Sequence, residues 1–190
     1  MTNDNVKMIA FVGMTGVGKS AAADYLRKKG VPDVYLGGVV LKEMERAGYD
    51  RTAELERKFR EDLRRREGKD FVAQRAVEQL RGLIGAGQKR IVIDGIYSWT
   101  EYRTLKREFP GSIVTVALVM PKKKRHGRLK RRDGEALVLE EAKMRDWSEI
   151  EELEKGGPIA DADHFVVSSD DEEETFRAID EVLTEVGFFG

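Results

Sequence analysis

The sequence predicts an α/β fold of three layers, a parallel sheet with helices on both faces, and three observations carry that expectation. Short apolar runs alternate along the chain with segments whose apolar residues recur every three or four positions, the pattern of strands joined by crossover helices. The first run, Met8-Ile9-Ala10-Phe11-Val12, passes through a glycine-rich turn into Ala21-Ala22-Ala23-Asp24-Tyr25-Leu26-Arg27, which has strong helix propensity. That turn, Gly13-Met14-Thr15-Gly16-Val17-Gly18-Lys19-Ser20, has the spacing G-x-x-x-x-G-K-S. Strands that alternate with helices pair in parallel through right-handed crossovers, and ligands then bind at the carboxyl ends of the strands.

Taken in order, Lys28-Lys29-Gly30 ends the first helix, and Val31-Pro32-Asp33-Val34-Tyr35-Leu36 reads as a short second strand stopped by Gly37-Gly38. A helical pattern runs from Val39 to Ala47. Another, from Thr52 to Lys69, carries Leu55, Phe59 and Leu63 as one stripe among charges, the mark of a mostly solvated helix. Asp70 caps a third, whose wide apolar face from Val72 to Ile84 suits packing on the sheet. Arg90-Ile91-Val92-Ile93-Asp94-Gly95 is an apolar strand ending in an acid, and Ser98-Trp99-Thr100-Glu101 is an S-x-x-E capping box. Ile113 to Met120 is the longest strand. Pro121 opens a basic helix, Leu137 to Trp147 continues helical, and Glu149 to Lys155 leads to a turn at Gly156-Gly157-Pro158. His164 to Ser168 supplies a fifth strand. Phe176, Ile179, Val182, Leu183 and Val186 mark a closing helix, with the acidic run Asp170 to Glu174 near its N-terminus where the dipole favours it.

At 190 residues the chain suits one domain, 1–190, without linker or repeat. Lys+Arg 34 against Asp+Glu 35 leaves a net charge of −1, so no global charge draws the protein to nucleic acid or an anionic membrane. The absence of cysteine excludes disulfides, thiolate metal sites and a Cys nucleophile. The first apolar run is too short for a signal peptide or membrane span, and a cytoplasmic protein is expected.

Chemistry is concentrated at three places. In the glycine-rich turn, Gly13, Met14, Thr15, Gly16, Val17, Gly18, Lys19, Ser20 and the following Ala21 form a cradle whose N–H groups face phosphate oxygens, reinforced by the helix dipole. Lys19 reaches the outer phosphates, and the Ser20 hydroxyl suits Mg²⁺. Asp94, at the end of its strand, holds Mg²⁺ through water or orients an acceptor, or else is a strand-end turn acid. Between Lys122 and Arg132 lie eight Lys or Arg residues and no acid, with Arg125, Arg128 and Arg132 at helical spacing. Such a face supplies cations to a transferring phosphoryl group, or is a solvated or nucleic-acid-binding surface. His126 and His164 lack acidic partners at metal spacing and read as surface or strand-edge residues. Trp99 and Trp147 read as packing residues, and Asp161 and Asp163 as helix-end caps or nucleotide contacts.

These motifs resemble the P-loop small-molecule kinases, close to dephospho-CoA kinase and to the archaeal adenylate-kinase-related proteins. The resemblance rests on the phosphate loop, Asp94-Gly95-Ile96 with Ser98, Pro121-x-x-x-Arg125-x-x-Arg128-Leu129, Arg145-Asp146 and Ile159-Ala160-Asp161-Ala162-Asp163. It implies a three-layer P-loop NTPase fold with five parallel strands in the order 2-3-1-4-5. It also implies an acceptor-side helical insertion over 38–88, a lid over 121–157 carrying Arg125, Arg128 and Arg145, and an adenine slot near Ser168 and Ser169. The chain departs from the family on the acceptor side. Gly37-Gly38-Val39-Val40-Leu41 lacks the usual acid and arginine, and Tyr97 stands where relatives often carry arginine. Lys42, Arg46 and Arg51 are candidate replacements.

The expected function is an ATP- and Mg²⁺-dependent kinase of a nucleotide, nucleoside or related cofactor precursor, with Lys19, Asp94, Arg125 and Arg128 as catalytic groups and Ser20 and Asp94 at the metal. A nucleotide-binding switch without a small-molecule acceptor is the main alternative, and a nucleic-acid-binding protein the other.

Overall fold

Strands β1 (Lys7–Val12), β2 (Asp33–Tyr35), β3 (Arg90–Asp94), β4 (Ile113–Val119) and β5 (His164–Val167) form one parallel sheet in the order β2-β3-β1-β4-β5. The computed structural model describes residues 5–50, 53–131 and 137–190. Expectations that fall on Arg51, Arg132 and the first four residues therefore lie outside the described residues. The helices are α1 (Lys19–Lys28), α2 (Gly37–Arg46), α3 (Ala53–Glu67), α4 (Phe71–Gly85), α5 (Trp99–Glu108), α6 (Lys122–Lys130), α7 (Leu139–Glu151), α8 (Gly156–Ala160) and α9 (Glu172–Glu185).

Both faces of the sheet are covered, which is why its strands read as continuous apolar runs. Met8, Ala10 and Val12 of β1 turn one way with Ile91 and Ile93, against Val40 and Met44 of α2, Leu63 of α3, Phe71 to Leu80 of α4 and Leu105 of α5. Ile9 and Phe11 turn the other way with Val92, Val116 and Leu118, against Ala22, Ala23 and Leu26 of α1 and Ile179 and Leu183 of α9. The helix over 53–67, expected to be mostly solvated, also lends Leu55 and Phe59 to the first of these cores.

Three local expectations need correction. The second strand pairs over three residues only, Asp33↔Val92 to Tyr35↔Asp94, because Pro32 has no N–H to donate and Leu36 already caps α2. Gly156-Gly157-Pro158 is the start of α8 rather than a turn, since proline in a first helical turn costs no hydrogen bond. Asp70 stands at the N-cap of α4 but makes no capping bond; its carboxylate accepts from Gln74 Nε2 at 3.0 Å. The capping box forms as expected: Glu101 N–H donates to Ser98 Oγ at 3.1 Å, and the Glu101 carboxylate accepts from Tyr97 N–H at 2.7 Å.

The chain winds outward from β1 in both directions, so the crevice at its carboxyl end is the topological switch point of the sheet. The glycine-rich loop leaves β1 there, and Asp94 ends the neighbouring β3, paired in register with β1 through Ala10↔Ile93.

Candidate active site

The loop's backbone demands glycine. At Gly13, φ is +144°, and a Cβ would lie 2.5 Å from the Leu118 carbonyl oxygen and 2.8 Å from Val17 Cγ2. Gly16, with φ +93°, lets α6 come down onto the loop: a Cβ there would sit 3.0 Å from Arg125 Cγ and from Leu129 Cγ. Lys19 is buried and donates to the loop's own carbonyls, Gly13 O at 2.9 Å and Met14 O at 3.3 Å. Burial, and then the nearby Lys155 ammonium, pull its pKa down to about 7 against the opposing pull of Glu149 and Asp94. Ser20 is exposed at the first turn of α1.

Asp94 is buried, and its Oδ1 has no hydrogen-bond partner among the described residues. Burial pushes its pKa up to about 6, with Lys19 holding it back. A desolvated carboxylate oxygen at a strand end, left unpaired, is costly unless a ligand completes it. Beside it, the Tyr97 ring lies under two ammonium groups, Lys19 Nζ at 5.8 Å and Lys155 Nζ at 5.0 Å from its centroid.

The arginines of α6 turn inward. Arg125 is buried and makes a two-pronged pair with Asp146 of α7, 2.6 Å to Oδ1 and 2.7 Å to Oδ2, while also donating to the Thr15 carbonyl at 3.1 Å. Arg128 crosses above Gly18, its Nη1 3.7 Å from where a Cβ would be, and bonds the Ser169 carbonyl and Asp170. Ser168 Oγ donates to Val17 O at 2.5 Å, so the segment after β5 is tied to the phosphate loop. Arg145 is exposed, 3.6 Å from Glu149.

Some expected roles fall elsewhere. His126 is buried, not at the surface, with Nε2 2.8 Å from Asp146, because α6 packs this face on α7. His164 lies on the edge strand β5, as expected. Trp99 packs, stacked on Tyr102 at 5.2 Å, but Trp147 is 61% exposed. Asp161 stands at the end of α8 as its C-cap, the expected helix-end role, and accepts from Tyr102 Oη of α5, whereas Asp163 accepts from Thr115 N–H of β4. In α2, Val39 and Val40 are buried in the core and Arg46 pairs with Glu43 at the surface.

Sequence reasoning missed Glu149 and Lys155. Glu149 accepts from Thr15 N–H at 3.1 Å and from Thr15 Oγ, and pairs with Lys155 at 2.9 Å. Burial pushes the Glu149 carboxyl up, but Lys155 and Thr15 hold it below its usual range. No spacing pattern could have announced either residue.

A family profile described as "AAA domain" matches residues 9–154. A UPF0200 protein of Thermococcus onnurineus is 36% identical over 182 residues, spanning 94% of this chain and 97% of its own. The chain belongs to the UPF0200 family. Another UPF0200 protein, from Thermococcus kodakarensis, is 34% identical over 94% of the chain and 97% of its own. Among solved structures, a shikimate kinase from Bacteroides thetaiotaomicron superposes with TM-score 0.60 at 14% identity, covering 95% of this chain and 98% of that one. A gluconokinase from Sinorhizobium meliloti gives 0.59 at 14% identity, covering 98% of each. At such identities these likenesses establish the fold: this UPF0200 chain has the P-loop α/β architecture of small-molecule kinases. Among the described residues, no helix is long and apolar enough to cross a membrane.

Proposed function

We propose that the protein is an ATP- and Mg²⁺-dependent kinase of a nucleotide, nucleoside or related cofactor precursor. The observation that supports this most is the buried Asp94 with its orphaned Oδ1, at the end of β3 beside the loop that leaves β1, electrostatically coupled to Lys19, with Arg125 of α6 turned in to bond the loop. The resemblance to dephospho-CoA kinase favours a cofactor precursor.

In this reading Gly13 to Ala21 bind the phosphates and Lys19 the outer ones. An acceptor oxygen bonds to the terminal phosphorus as the bond to the bridging oxygen breaks, leaving ADP. Where the acceptor is a hydroxyl, its proton goes to Asp94; an anionic acceptor needs no base. The residues fit a hydrated Mg²⁺, since Asp94 Oδ1 is an orphaned carboxylate oxygen and Ser20 offers an open hydroxyl. Bound there, the ion would neutralise phosphate charge. Residues 121–157 act as the lid, with Arg125 anchoring it, Arg128 approaching the nucleotide and Arg145 free to turn from solvent, while the helices over 38–88 wall the acceptor side.

Lys19→Met keeps the stem and removes the charge, and is expected to weaken ATP binding by roughly ten- to a hundredfold in calorimetric titration. An unchanged dissociation constant overturns the phosphate-loop assignment. Screening nucleosides, nucleoside monophosphates and dephospho-CoA for stimulated ADP release identifies the acceptor. The stretch Gly37 to Leu41, which lacks the acid and arginine that relatives often carry, favours a second reading, a nucleotide hydrolase without acceptor; near-maximal ADP release with no acceptor present selects it.

Arg128→Lys separates the kinase from a nucleic-acid-binding protein. It keeps the charge but loses the planar fork, so the maximal rate falls roughly tenfold with a smaller loss of ATP affinity. Unchanged catalysis, with oligonucleotide binding by the parent that weakens steeply between two salt concentrations, selects the nucleic-acid reading.

A further inference from the structure

Lys155 is a charged side chain with no exposure, and among the described residues its one ion-pair partner is Glu149, 2.9 Å away. Beyond that ion pair, Nζ has no hydrogen-bond partner among the described residues. An ammonium has three donors, and a buried lysine that served only to brace the fold would have them satisfied. Here Glu149 takes one of them and the others are left over, above the same Tyr97 ring that Lys19 faces.

The two ammonium groups share the Tyr97 ring, at 5.0 and 5.8 Å from its centroid. Bringing like charges together out of water is unfavourable unless an anion joins them. The surroundings show the strain: each lysine's pKa is lowered, by burial first, and Lys155 is the next cause for Lys19. The chain is bent to achieve this. Glu154 is the one non-glycine with positive φ among the described residues, at +53°, and it turns the chain from α7 into α8 so that Lys155 points inward.

Glu149 completes the picture. Its carboxylate accepts from both the N–H and the hydroxyl of Thr15, inside the phosphate loop, where it occupies donors as an anionic ligand would. A terminal phosphoryl group arriving beside Lys19 carries the same sign of charge and repels it.

We propose that Lys155 is a second ammonium for the terminal phosphoryl group of a nucleoside triphosphate, held in reserve by Glu149, which acts as the placeholder that the phosphoryl displaces. This rests on the kinase reading above. Nucleotides that differ only in the terminal phosphoryl test it: Mg²⁺ with AMP-PNP and Mg²⁺ with ADP, titrated calorimetrically into the parent and its variants.

In Lys155→Met, affinity for AMP-PNP falls roughly ten- to a hundredfold while that for ADP changes less than about threefold. In Glu149→Gln, the competing anion is gone and the preference for AMP-PNP over ADP rises. Opposite signs at two residues of one ion pair are what a purely structural role would not produce. Should Lys155→Met leave Glu149 stranded and the protein unfolded, the double variant Lys155→Met, Glu149→Gln carries no unpaired charge and is read against Glu149→Gln, with retained ADP binding and a lower AMP-PNP preference than in Glu149→Gln expected. The parental ratio of the two affinities in Lys155→Met, the Glu149→Gln ratio in the double variant, or equal weakening of both ligands in Glu149→Gln, overturns the proposal and leaves the kinase reading standing. A parent that binds neither nucleotide overturns both.

Discussion

Asp94→Asn is expected to lower turnover roughly a hundred- to ten-thousandfold while nucleotide affinity changes far less. The amide keeps the shape of the side chain, so the strand end and the loop beside it stay in place. It loses the charge that accepts a proton and the orphaned anionic oxygen that faces the site. Steady-state rates and nucleotide titrations on the same preparations make the comparison. Full turnover in the variant reduces Asp94 to a strand-end acid and removes the main support for the kinase reading.

Asp146→Ala is expected to destabilise the protein by roughly 3–5 kcal/mol, the cost of leaving a buried partner uncompensated. Arg125 would then keep only its bond to the Thr15 carbonyl among the contacts described above. For a chain of this size the midpoint of thermal unfolding falls by about 6–20 °C. A change under about 2 °C would mean that the pair contributes nothing to holding α6 on the loop. The same residue sets an acid dependence. Burial raises the Asp146 carboxyl, but hydrogen bonds from Arg125 and His126 outweigh it and hold the group below its usual range. The unfolded chain therefore takes up this proton first. The stabilisation is complete above the ordinary carboxylate range, about pH 4, and is lost as pH falls through the depressed value. Acid unfolding of the parent should show this component and that of Asp146→Ala should lack it.

The frame of the site was legible because it is local. Met8 to Val12, the glycines and Ala21 to Arg27 specify strand, turn and helix within one short stretch. Asp94 was legible because an acid after three β-branched residues stands at a strand end wherever that strand lies in the sheet. The inward turn of Arg125 and Arg128 followed less directly. Their spacing put them on one face, but spacing could not say that Asp146 and the Ser169 carbonyl would receive them.

Helix α7 shows where periodicity misleads. Leu139, Met144, Trp147 and Ile150 are exposed, while Asp146 and Glu149 are buried. A hydrophobic pattern would phase this helix the other way round. Its rotation is decided instead by a buried guanidinium and by a phosphate loop with open donors, whose unmet charges cost more than the exposure of four apolar side chains.

What the sequence by itself determined is therefore the alternation of strands and helices, the phosphate loop, Lys19 and the acid on β3, all fixed by contacts between near neighbours in the chain. Only the tertiary structure decided that His126 is buried, that Trp147 is not, that Glu149 reaches the loop from more than a hundred residues away, and that Lys155 meets the Tyr97 ring that Lys19 also faces. Those placements follow from pairing buried charges, a long-range condition that leaves no spacing pattern in the residues that satisfy it.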